Sequence, residues 1–158
     1  MVSEPFDVAI RMGEQQDSNL IARQLARLPT YLYASPRYLE LSGEPSEPAD
    51  LEQHECLSIL KSGEWTLHKG TQMAKIAVSS KFVINSVGMI RRLATLDMGI
   101  ILVIEEIVGD DIANGRLRRV LPQWHGSPVS VYAITETRLL PAKTRCFIEF
   151  LSERLGGG

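Results

Sequence analysis

Residues 100–104 read IILVI, between Gly99 and Glu105. An unbroken aliphatic run of this length, bounded by a breaker and by charge, is a buried strand. Both flanks are helical. Val87, Ile90, Leu93 and Ala94 recur on one face over residues 87–95, and Asn85-Ser86 ahead of them caps that helix. Residues 105–114 form the next helix, with Gly115 as its stop. A strand held between helices in this way dictates an α/β chain, with helices expected over both faces of the sheet.

The remaining segments fit that frame. Residues 6–12 (FDVAIRM) suit a strand buried on both faces, followed by the polar turn 13–19, where Asp17, Ser18 and Asn19 are turn formers. Residues 20–25 and 30–34 read as strands, and Ser35-Pro36 opens a short helix over 36–41. The stretch 42–50, with two prolines and a glycine, is a loop, and Asp50 caps a turn at 51–54. Short strands are expected at 56–60, 65–68, 75–79 (Ile76 and Val78 inward), 82–84 and 129–134. Pro141 starts a last helix with Phe147, Phe150, Leu151 and Leu155 on one stripe.

Composition and motifs exclude several functions. Seventeen Lys+Arg against nineteen Asp+Glu give a net charge of −2, without the basic excess of a domain that grips nucleic acid. No G-x-x-x-x-G-K, G-x-G-x-x-G or G-x-S-x-G occurs. His54, His68 and His125 are dispersed without ligand spacing and read as surface residues, so no metal and no cofactor are expected. Cys56 and Cys146 form no C-x-x-C and read as buried apolar residues in a reducing compartment. The acidic pairs Glu105-Glu106 and Asp110-Asp111 diverge on a helix and read as helix-start charges, while Arg91-Arg92 and Arg116 with Arg118-Arg119 read as solvated faces. With no nucleophile–base constellation, the chain is not expected to be an enzyme. No membrane span or export signal is visible, so the chain reads as cytoplasmic.

Two features could contact a ligand. Asn85-Ser86 is either a plain helix cap, the simpler reading, or a helix start that offers N–H groups to an anion. Arg11, at a strand end, either anchors an anion or extends its head group to solvent.

Six segments in order, FDVAIRMGEQQDSNLIARQL, YLYASPRYL, PADLEQHECL, NSVGMIRRLATLDMGI, GRLRRVLPQW and VYAITETRLLPAKTRCFIEFL, resemble the effector-binding domain of LysR-type transcriptional regulators. The likeness runs from Phe6 to Leu155, and it is the ordered set rather than any one motif that is specific. It implies an α/β, type II periplasmic-binding-protein-like lobe with remnants of a second lobe. Residues 1–19 would be the remnant of the first lobe, 20–26 the first crossover strand, 27–128 the second lobe, and 129–158 the return crossover and the C-terminal helix of the first lobe.

The function implied is that of an effector-sensing regulatory domain, with a small anionic inducer bound between lobes and a winged helix-turn-helix, outside this chain, contacting DNA. The effector contacts implied are Arg11, Met12, Gly13, Asn85, Ser86, Val87, Val103 and Ile104, with weak or absent binding in a chain of this extent. Ile104-Glu105 and the Leu96-Asp97-Met98-Gly99 stretch depart from the common family pattern. The stripe of the last helix implies a homodimer of this chain, beside the homo-oligomer of the parent. A solute-binding lobe acting in transport is the alternative on the same fold.

Overall fold

The computed structural model describes residues 9–12, 21–59, 63–135 and 142–156. The expected turn at 13–19, the start of the strand at 6–12 and Pro141 lie outside them. The chain divides into two compact units, residues 1–28 with 128–158, and residues 29–127.

In the first unit, β1 (Ala9–Met12), β2 (Ile21–Leu28) and β9 (Val129–Thr135) form an antiparallel sheet in the order β1-β9-β2. A strand buried on both faces was the expectation for 6–12. Instead β1 is an edge strand, antiparallel to β9 and largely exposed. The β2–β9 register shifts between Gln24 and Ala26, a bulge centred on Leu25. The Leu25 carbonyl accepts a hydrogen bond from Ser152 Oγ at 3.2 Å, which fastens α4 (Ala142–Gly156) to the sheet. Ile148 and Thr144 are the buried face of α4, and Phe147 and Phe150 stay exposed. Cys146 is exposed too, contrary to expectation, because two residues of helix turn it to the far side from Ile148.

The second unit is layered on β3 (Thr30–Ala34). This strand pairs antiparallel with β6 (Ile101–Ile104) on one side and with β7 (Arg118–Val120) on the other. Alternate residues of β3 enter different cores. Tyr33 joins Ile101, Val103, Val108, Ile90 and Ala94, beneath α2 (Val87–Thr95) and α3 (Glu105–Ala113). Leu32 and Ala34 join Trp65, Leu67, Ile76 and Val78 of a second sheet, ordered β5-β4-β8. That sheet comprises β4 (Gly63–Lys69), β5 (Gln72–Val78) and β8 (His125–Gly126). Helices on both faces were expected. Here α2 and α3 cover one face, while the other is covered by a sheet with Tyr38 and Leu39 of α1 (Pro36–Ser42).

Local chemistry explains the helix starts. Ser35 Oγ accepts from Tyr38 N at 3.0 Å, with Pro36 at the first position of α1. Asp50 caps backwards within the 3-10 helix Pro48–Gln53, accepting from the N–H groups of Ser46 and Glu47. Two expected strands are absent. Residues 82–84 belong to no strand, with Val83 exposed, and of 56–59 only Cys56 makes a bridge, parallel to Ile100. Short, polar β7 and β8 were not anticipated.

Candidate functional site

The α2 N-terminus is built as its sequence dictates. Ser86 has extended backbone and accepts from Met89 N at 3.1 Å, while Ile90 N donates to the Ser86 carbonyl. The N–H groups of Val87 and Gly88 face out of the first turn, where a helix has no internal acceptor for them. Asn85 and Ser86 are exposed and Val87 half-buried. Val87 packs on the same apolar cluster as Val103, so α2 starts beside β6.

Electrostatics distinguish this helix start from the next one. The first turn of α2 carries no acidic residue, whereas Glu105 and Glu106 occupy the first turn of α3. Those carboxylates already complement the positive end of the α3 dipole and repel a further anion. The α2 start leaves its positive end available to a carboxylate or phosphate. Burial, reinforced by the nearby Glu105, pushes the Tyr33 phenol up to about 12, so it remains a neutral hydroxyl.

The expected contacts fall into three groups. Asn85, Ser86, Val87 and Val103 come together in the second unit. Val103 and Ile104 are buried, so what they can offer a ligand is backbone and shape rather than an exposed side chain. Arg11 and Met12 belong to β1 in the first unit, where Arg11 and Gln24 stand opposite Tyr132 from its two sides. Gly13 lies outside the described residues. Two clefts of the second unit lie elsewhere. One of about 350 Å³ is bordered by Pro45, Pro48, Lys69, Pro122 and Trp124, and one of about 460 Å³ by Gly43, Asp50, Glu52 and His54.

An ionic clamp escaped the sequence reading. Asp111 is fully buried, and its carboxylate accepts from Arg91 Nε and Nη2 at 2.7 and 3.0 Å and from Arg116 Nε at 2.9 Å. Burial by itself would raise its pKa, but the two guanidinium groups outweigh that and hold it below the usual carboxylate value. Arg91 and Arg116 are therefore not free solvated charges; they tie α2 to α3 and to the loop after it. Arg119 stacks on Tyr31 at 4.1 Å, and Arg118 pairs with Glu44 at 2.9 Å. No spacing signal links residues 91 and 111, although Arg116 so soon after Asp111 was a local hint. Cys56 is buried with its thiol pushed up to about 12, which leaves it unreactive.

The chain is thus a two-unit α/β fold whose α2 start, capped by Ser86, carries no acidic residue in its first turn. The LysR substrate binding domain family model matches residues 1–156. An HTH-type transcriptional regulator of Xanthomonas campestris is 33% identical over 98% of this chain and 47% of its own length. The HTH-type transcriptional activator AaeR of Escherichia coli is 32% identical over 97% of this chain and 51% of its own. The regulatory domain of CrgA, a LysR-type transcriptional regulator from Neisseria meningitidis, superposes with a TM-score of 0.76 at 30% identity, covering 95% of this chain and 76% of that one. The chain belongs to the LysR substrate-binding-domain family, and its fold is the type II periplasmic-binding-protein-like fold of these regulatory domains. It spans about half the length of the curated relatives it matches.

Proposed function

We propose that the chain is the effector-sensing domain of a LysR-type DNA-binding regulator acting in the cytoplasm. Family membership carries this reading, because it is a family of regulatory domains and not of enzymes. Among the described residues no helix is long and apolar enough to cross a membrane. The effector is a small anion. Asn85, Ser86 and the Val87 N–H receive it in the second lobe (27–128), and Val103 and Ile104 back it. Arg11, Met12 and Gly13 contribute from the first-lobe remnant (1–19). Residues 20–26 and the start of 129–158 act as crossover strands. Binding shifts a pre-existing equilibrium of the parent oligomer, and a winged helix-turn-helix outside this chain reports that shift on DNA.

The test is calorimetric titration of the chain with a panel of small mono- and dicarboxylates. At most weak binding of one of them is expected in a chain of this extent, and where it is measurable it is weakened about tenfold or more by Asn85→Ala or Arg11→Ala, the scale of a lost charge-assisted hydrogen bond. Binding that both variants leave intact would move the site elsewhere. The chain is also proposed to pair with a second copy through the exposed Phe147 and Phe150 of α4. Light scattering across a concentration series reads this directly: a dimer is expected, and a monomer at all concentrations overturns it.

A further inference from the structure

Two of the three dispersed histidines meet in the fold. The β4–β8 register sets His68 opposite His125, and the β4–β5 register sets the same His68 opposite Met73. Directly opposed residues of an antiparallel ladder share a face. A single row therefore crosses three strands as Met73, His68, His125. The row lies on the side away from the core, since Trp65 and Leu67, which alternate with His68, are buried. Met73 and His125 are exposed, and His68 is half-buried.

The geometry is that of ligands close to a chelating arrangement. The two imidazole centroids are 5.6 Å apart, with 29° between the ring planes. An ion held about 2.0–2.1 Å from one nitrogen of each ring requires centroids roughly 5–6 Å apart, a range that includes the separation of these two rings. His125 Nδ1 lies 3.1 Å from the Gly126 carbonyl oxygen. A carbonyl only accepts, so Nδ1 carries the proton and Nε2 keeps its lone pair. Metal-bound imidazoles ordinarily have such an orienting contact. Neighbouring strands lie about 4.8 Å apart, so the side chains of Met73 and His125 can both lean over His68.

We propose that Met73, His68 and His125 form a site for a soft monovalent cation, Cu(I). Two imidazoles alone also suit divalent zinc, nickel or copper, and it is the soft, neutral thioether beside them that favours Cu(I). One row along the same face, Lys75 stands opposite Thr66. Its positive charge opposes a divalent ion twice as strongly as a monovalent one. The site is independent of the effector reading.

The experiment is an anaerobic titration of the chain with Cu(I) against bicinchoninate, in a Cys146→Ser background, because the exposed thiol of Cys146 would itself take the ion. One Cu(I) per chain is expected. His68→Ala, His125→Ala and Met73→Leu should each weaken binding by about tenfold or more, the scale on which loss of even an outer partner costs a metal site. Melting temperatures of the metal-free variants should match the parent, and X-ray absorption should show one sulfur and two imidazole scatterers. Failure to draw Cu(I) from the chelator overturns the proposal, as does affinity unchanged by the histidine substitutions. Affinity unchanged by Met73→Leu, with no sulfur scatterer, removes the thioether and with it the selection of Cu(I).

Discussion

Asp111 shows how much one side chain can hold. Its carboxylate joins α2 to α3 through Arg91 and to the following loop through Arg116. Breaking a buried pair typically costs about 3–5 kcal/mol, but both arginines are part-exposed and rehydrate once released, so Asp111→Asn should cost about 2–3 kcal/mol at neutral pH. The pH dependence follows from the lowered pKa of Asp111 in the folded state. A depressed carboxyl contributes stability that is complete above its unfolded value, about 3.9, and is lost as pH falls through the folded value. Urea unfolding of the two proteins at several pH values should show a wide gap at pH 7 that closes in strong acid. A gap independent of pH would mean that the charge is not what stabilises the site.

At the scale of elements, two glycines act in opposite directions. A Cβ on Gly99 would sit 2.6 Å from the Glu55 carbonyl oxygen, which also accepts from Ile100 N at 2.9 Å. Gly99→Ala must push that strand contact apart and should destabilise by about 2–3 kcal/mol. Gly109 lies inside α3 with nothing within 4 Å of its would-be Cβ. Gly109→Ala should stabilise by up to about 1 kcal/mol through helix propensity, raising Tm by about 2–4 °C. Thermal melts of the pair check both signs. The same scale explains what was legible. Helices α1 and α2 could be read because Ser35-Pro36 and Asn85-Ser86 act on the turn they begin, and the aliphatic run before Glu105 could only be buried. Residues 118–120 and 125–126 are strands because of partners far along the chain, and 82–84 fails to be one because it has none. The cap at Ser86 was visible for that local reason, whereas the clamp at Asp111 depends on an arginine twenty residues away.

At the scale of the whole molecule, both buried clusters of the second unit are made of residues from that unit alone. A fragment comprising residues 29–127 should therefore fold by itself. Trp65 and Trp124 both lie within it, so their fluorescence should give superposable urea transitions for fragment and full chain. A fragment without a cooperative transition would show that the first unit is needed for the second to form. The division of β3 between the two clusters bears further on how such a chain can change length over evolutionary time. A strand that serves two cores has no spare register, since the loss or gain of one residue between Thr30 and Ala34 would send Tyr33 into the space of Leu32 and the reverse. The Gly70-Thr71 turn joins two strands at the surface and carries no such constraint. Insertions and deletions in descendants of this domain belong at that turn, and the five residues of β3 are where its length is frozen.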